Sequence, residues 1–213
     1  MSMKIILVAI CLVGWLIVYF TELLKAYREP FIRSHYVAVG VIRTLGMIMG
    51  TVSLFLLPFV PQPKIGRISG IASLAIGITL IGIAIYILTR FFLEWRRKAE
   101  GLGESLAESK YLVTTGLYEK VRHPIYMASL FLLWGWYFAW RAVYGLLSMP
   151  IILIAFLIEI FIEEKCLSRK FGDEHTRYKR RVPMLLPLPL LVTLIVVLGI
   201  VVISIIFGWV QII

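Results

Sequence analysis

Two short clusters of ionisable residues stand at opposite ends of a pair of apolar runs. Arg122, His123 and Pro124 precede the first run, and Glu163 and Glu164 follow the second. Arginine and histidine bind carboxylate or phosphate oxygens through charge-assisted hydrogen bonds. Paired carboxylates accept hydrogen bonds from an ammonium group or from ribose hydroxyls, and a carboxylate can also take up a proton during a reaction. A proline at the start of a helix leaves neighbouring N–H groups pointing out of the helix end, where an anionic group is favoured. Glu159 lies one turn before the Glu pair and inside the apolar run, a costly position unless the carboxylate is paired or faces a polar cavity.

Membrane spans must position these residues. Hydrophobic residues make up 61% of the 213-residue chain, against about 45–50% in soluble domains, and the mean hydropathy is +0.94. A run of about 20 apolar residues crosses the roughly 30 Å hydrocarbon core as a helix. Only helices and closed barrels satisfy every backbone polar group there, and the runs are too long for barrel strands. The expected fold is therefore all-α: a polytopic transmembrane helix bundle with about six spans, near 5–24, 36–60, 68–88, 125–140, 143–162 and 185–210. The first run is read as a span and not a cleaved leader, because Thr21, Glu22 and Leu23 offer no small-x-small cleavage site. Without repeats or low-complexity tracts, residues 1–213 read as a single domain with a motif-bearing core at about 89–187. The polar segments 89–124 and 163–184 read as long loops, and Trp134, Trp136, Tyr137, Trp140 and Tyr144 as an interfacial aromatic belt.

The basic residues crowd into these loops. On alternating sides of a six-span chain they divide 17 to 4, with Arg43 inside the second span. By the positive-inside rule both long loops face the cytoplasm and both termini face away from it. The net charge of +10 then marks topology and contact with anionic lipid headgroups, not nucleic acid. Cys11 and Cys166 fall in different environments, so no disulfide is expected, and no residue cluster suggests a metal site.

A hairpin turning at Arg141 and Ala142 returns the chain to its starting side. Arg122, His123 and Tyr126 must therefore lie near Glu163 and Glu164 at one mouth of a helix pair. A ligand with an amino-acid end and a ribose suits these groups, and S-adenosylmethionine has both.

The segment LVTTGLYEKVRHPIY, carrying Leu112, Val113, Gly116, Tyr118, Arg122, His123, Pro124 and Tyr126, resembles the L-V-x-x-G-x-Y-x-x-x-R-H-P-x-Y pattern of isoprenylcysteine carboxyl methyltransferases and their bacterial relatives. Segment 163–187 is similar to the family's second block through Glu163, Glu164, Leu167, Phe171, Gly172, Glu174, Tyr178, Val182, Pro183 and Pro187, and phospholipid N-methyltransferases share the Glu pair. The resemblance implies S-adenosylmethionine as cofactor. Arg122, His123, Pro124 and Tyr126 would hold the methionyl end or adenosine, Glu163 and Glu164 the polar groups, and the backbone of Leu112, Val113, Gly116 and Tyr118 would wrap the nucleoside. It also implies methyl transfer to a lipophilic small molecule or lipidated acceptor, with Glu159, Glu163 and Glu164 as candidate catalytic carboxylates. Gly101 and Gly103 are similar to the G-x-G of the phospholipid enzymes, though such a pair also makes an ordinary turn. Many relatives carry arginine where this chain has Glu159, which favours an amine or neutral acceptor over a carboxylate.

Two other readings stand beside this one. NADPH-dependent reductases of sterol-like or enone lipids share the RHP motif but usually follow it with Asn, where this chain has Ile125, and lack the Glu pair. A non-enzymatic membrane protein such as a transporter would show inverted repeats or broken mid-membrane helices. His35, His175 and the Arg180–Arg181 run read as surface residues, and Cys166 as an inert thiol.

The orientation is directly testable. A single cysteine at the C-terminus should react with an impermeant thiol reagent in intact cells, whereas one within 169–181 should be protected. Protection at both positions would remove the sixth span, and the reverse pattern would overturn the orientation.

Overall fold

The computed structural model describes residues 3–27, 36–62, 64, 70–102, 112–185, 199 and 207. Among the described residues five α-helices occur: α1 (Met3–Tyr27), α2 (Tyr36–Leu56), α3 (Gly70–Leu102), α4 (Pro124–Ala139) and α5 (Val143–Arg181). Single 3-10 turns follow α2, at Leu57–Phe59, and precede α4, at Gly116–Glu119. No strand occurs among the described residues. Among the described residues four helices are long and apolar enough to cross a membrane, namely α1, α2, α3 and α5. The fifth, α4, has 16 residues and reaches about 24 Å at 1.5 Å per residue. The sixth expected span, 185–210, lies almost wholly outside the described residues.

The helices pair as α1 with α2 and α3 with α4, and α5 touches both α1 and α4. In lipid the packing of spans depends on close backbone approach, because the hydrocarbon around them is as apolar as their side chains. Both pairs use glycine for this. At the α1–α2 crossing a Cβ on Gly14 would lie 2.6 Å from the Gly50 nitrogen and 2.7 Å from the Gly46 oxygen. At the α3–α4 crossing a Cβ on Gly135 would lie 2.7 Å from the Gly77 oxygen. Outward faces carry exposed Leu12, Leu16, Val41, Ile78 and Ile151, as lipid contact requires. Leu133, Tyr137, Leu146, Met149, Phe156 and Ile160 are buried where α4 and α5 meet the rest of the bundle.

The α4–α5 hairpin turns at Arg141, which adopts φ 54°, and the Ala142 N–H donates to the Tyr137 carbonyl at 2.9 Å. The aromatic residues at this tip differ from the expected belt. Tyr137 is fully buried and Trp134 nearly so. The Trp136 indole N–H donates to the Phe55 carbonyl at 2.9 Å, and the Tyr137 hydroxyl to the Leu54 carbonyl at 3.2 Å. Those carbonyls belong to the last turn of α2, where a helix leaves its C=O groups without internal partners. The aromatics therefore close the end of α2 as well as packing the core; Trp140 is the exposed one.

The long segments are also more helical than expected. The third helix continues to Leu102, past the boundary at 88, and α5 continues to Arg181. With 39 residues, α5 would be about 58 Å long if straight, far more than a bilayer core. It breaks at Gly172, where φ is 53° and ψ is −122°. A side chain is disfavoured there, and the arm 173–181 turns back from the long arm 143–171.

Gly135→Ala should separate α3 from α4 and destabilise the protein by about 1–3 kcal/mol, the usual cost of overpacking. Gly82→Ala, on α3 with nothing within 4 Å of its Cβ position, should be neutral or gain up to about 1 kcal/mol of helix propensity. Thermal unfolding in one detergent compares them; equal melting temperatures would mean the glycine crossing is not tight.

Candidate functional site

Glu164 is the centre of the polar cluster. It sits on α5 just beyond the apolar run and is 4% exposed. Arg122 pairs with its Oε1 atom. His123 Nε2 lies 3.3 Å from the same oxygen, and Lys179 Nζ lies 3.0 Å from Oε2. Burial raises the tendency of this carboxyl to hold a proton. The hydrogen bonds from His123 and Lys179, with the Arg122 charge, outweigh that and hold its pKa down at about 2. Glu163, next in the chain but exposed, lies 3.6 Å from His123 Nδ1. One histidine thus sits between the two carboxylates.

The break at Gly172 makes the Lys179 contact possible. Fifteen residues of straight helix would separate Glu164 from Lys179 by about 22 Å; folding back brings them into contact. The returning arm is held by further bonds. Ser168 Oγ and His175 Nδ1 lie 2.9 Å apart, and the Tyr178 hydroxyl donates to the Tyr118 carbonyl at 2.7 Å. Just past the arm, the Pro183 and Met184 carbonyls accept the Arg122 and His123 N–H groups at 2.9 and 3.0 Å. His175, expected at the surface, is instead 1% exposed, and burial shifts its imidazole below the ordinary value.

The cluster borders a cavity of about 640 Å³ between α1, α2, α4 and α5. Glu163 and Tyr126 belong to both; the Tyr126 ring meets His123 and Phe156 edge-on at 5.8 and 5.5 Å. One part of the lining is apolar, with Met47, Leu54, Leu132 and Leu133, and another carries Glu22, Arg43, Glu159 and Lys170. Glu159 is buried, 5% exposed. The α4 helix starts at Pro124, and Ile125 in its first turn reaches the cavity.

Of the residues singled out by sequence, the structure gathers Arg122, His123, Pro124, Tyr126, Glu163 and Glu164 at one place, with Glu159 one turn deeper. Leu112, Val113, Gly116 and Tyr118 do not line this cavity. Their segment packs on the C-terminal part of α3, where the Leu117 N–H donates to Glu94 Oε2 at 2.9 Å and the Tyr118 ring meets Phe91 edge-on at 6.3 Å. Gly116 adopts φ 72°, where a side chain is strained, and a Cβ there would displace the Glu94 carboxylate. Gly103 lies outside the described residues. Among those residues no group of His, Cys, Asp or Glu could hold a metal ion.

Sequence reasoning missed Glu22, Arg43, Glu94 and Lys179. Glu22 and Arg43 carried a usable signal, opposite charges inside neighbouring apolar runs. Glu94 and Lys179 carried none, because their roles depend on tertiary folding over tens of residues. Cys166 also lines the cavity, which its sequence position in a basic segment did not suggest.

Residues 72–174 match the family model for phospholipid methyltransferase. That stretch runs from the first turn of α3 through the RHPIY segment and the Glu pair to just past Gly172. The chain is 40% identical over 72 residues to methanethiol S-methyltransferase 1 of Bradyrhizobium diazoefficiens, covering 33% of this chain and 24% of that protein. It is 29% identical over 132 residues to methanethiol S-methyltransferase of Crocosphaera subtropica, covering 58% of this chain and 48% of that one. The chain thus spans about half the length, or less, of the curated relatives it matches. No solved structure matches it. With helices of spanning length, and with the RHPIY segment and the Glu pair both inside the matched stretch, the chain is similar over just under half of its length to the isoprenylcysteine carboxyl methyltransferase and phospholipid methyltransferase-like family of membrane methyltransferases.

Proposed function

We propose that this protein transfers the methyl group of S-adenosylmethionine to a lipophilic acceptor that enters from the bilayer, at the cytoplasmic face of the membrane. The observation that carries the reading is the contact between the charged cluster and the largely apolar cavity, shared through Glu163 and Tyr126. A cavity of about 640 Å³ falls within the roughly 300–1,000 Å³ of small-molecule sites.

The residues fit the donor. Arg122 Nε is buried and has no hydrogen-bond partner among the described residues, so one donor remains for a ligand carboxylate while Nη1 is held by Glu164. Exposed Glu163 is open to an ammonium group or a ribose hydroxyl. When bound, S-adenosylmethionine supplies an electrophilic methyl on a sulfonium. The protein's part is to hold the acceptor atom in line with that methyl and to exclude water. Glu164, engaged on both oxygens and strongly acidic, serves as organiser and is a poor base. Glu159 is better placed to take a proton from an amine or thiol acceptor at a carboxylate oxygen, because it lines the cavity and is buried. The relatives' names give a thiol as acceptor, and a lipophilic thiol, or an amine that enters in its uncharged form, suits this arrangement.

His123→Ala or Glu163→Ala should weaken S-adenosylhomocysteine binding at least about tenfold, since hydrogen bonds to charged groups contribute roughly 1.5–3 kcal/mol. Thr79→Ala, on the exposed face of α3, should not. Equal affinities in a direct binding assay would place the cofactor elsewhere.

Glu159→Gln should lower turnover several-fold while leaving S-adenosylhomocysteine affinity within about twofold, following the usual size of general-base effects. The assay follows labelled methyl from S-adenosylmethionine into a total lipid extract, a long-chain thiol, a long-chain amine, a prenylcysteine carboxylate and methanethiol. Equal activity on methanethiol and the long-chain acceptors would overturn entry from the bilayer. Unchanged turnover in the variant would remove Glu159 as base.

A further inference from the structure

We infer that Glu22 and Arg43 form an acceptor-selecting wall of the cavity, tuned to keep charged head groups out. Glu22 lies on α1 and Arg43 on α2, and Arg43 Nε lies 2.5 Å from Glu22 Oε1. Both side chains line the same cavity as Glu159 and Glu163. Both lie inside helices apolar enough to span a membrane. Charges in such positions are costly and, where they occur, face cavities or each other; these do both.

The placement separates this pair from the cofactor cluster. Arg122, His123, Glu163 and Glu164 come from α4 and α5 and their flanks, within residues 72–174. Glu22 and Arg43 come from the helix pair before that stretch. The tight glycine crossing of α1 and α2 holds the two helices as a unit, so the pair is presented on a fixed surface. The bound pair shows the cavity a neutral wall. A charged head group gains little from one member without losing to the other, whereas a neutral head group meets no net charge at this wall. Removing either partner leaves its opposite uncompensated in a partly apolar space, where a charge is attractive only to its complement. The sequence of each helix thus contributes half of a charge filter.

The inference rests on the reading that this cavity receives the acceptor, and its test is made by binding, without the methyl donor. Protein in nanodiscs of uncharged lipid is titrated with dodecylamine, dodecanol and dodecanoate, each competing with a fluorescent alkyl probe. The unaltered protein should bind dodecanol best. Glu22→Gln should raise the affinity for dodecanoate relative to dodecylamine at least about tenfold, and Arg43→Gln should shift the ratio about as far the other way. The double Glu22→Gln, Arg43→Gln variant and the reversed pair Glu22→Arg, Arg43→Glu strand no charge and should keep the original order. If a single variant does not fold, these two still decide: preference for a charged amphiphile in the reversed pair overturns the inference. Equal weakening of all three ligands in the single variants also overturns it, showing a purely structural pair. Failure of labelled methyl transfer in the separate assay counts against the proposed reaction and leaves this binding order unaffected.

Discussion

One buried carboxylate organises the charged end of the molecule. Glu164 joins Arg122 and His123 at the start of α4 to Lys179 on the returning arm of α5. Taking any of these charges out of water alone is unfavourable. Their mutual contacts make the burial tolerable, and breaking one partner of such a set strands the others. The positions of Arg122 and His123 follow from this, and with them the orientation of the imidazole between the two glutamates. Glu163 and Tyr126 then inherit a fixed place at the boundary with the cavity.

The two sides of that boundary differ in kind. On one side donors and acceptors are fixed by ion pairs and by backbone bonds from Arg122 and His123 to Pro183 and Met184. On the other, leucines and a methionine line a space between helices that face lipid. A polar ligand and an apolar one can therefore meet with little rearrangement. The helices need not be alike for this: α4 is short, and the Gln62 side chain, from the chain just after α2, accepts from the Tyr144 N–H beside its tip at 2.9 Å. The tip is thereby anchored to the first helix pair.

Much of this was legible in the residue order. The apolar runs announced the helices, because hydrophobic length is a local property. The approach of RHPIY to the Glu pair followed from a two-residue turn between runs of similar length. What was not legible depends on distance along the chain. Glu94 under Gly116 and Lys179 on Glu164 involve separations that no pattern encodes, and the second requires the backbone reversal at Gly172. His175 read as a surface residue because its segment is dense in charge; the reversal buries it against Ser168. Trp136 and Tyr137 read as an interfacial belt because the belt and the end of a helix both favour aromatic residues with a polar atom. The C-terminal limit of α3 was misplaced because Thr89 and Arg90 end the apolar run without ending the helix.

The bonds from Arg122 and His123 to Pro183 and Met184 also set an order of assembly. The N–H groups at the start of α4 find their carbonyl partners about sixty residues later in the chain. At a synthesis rate of about 5–20 residues per second, that is roughly 3–12 s after they leave the ribosome. Until then Glu164 has its arginine and histidine within reach but lacks its lysine, and the α4–α5 hairpin must enter the membrane with its charged mouth unfinished. The centre of the protein is therefore completed late, by the segment that follows the spanning part of α5, and a chain cut short before Lys179 would hold most of its described helices in place around a site that had never closed.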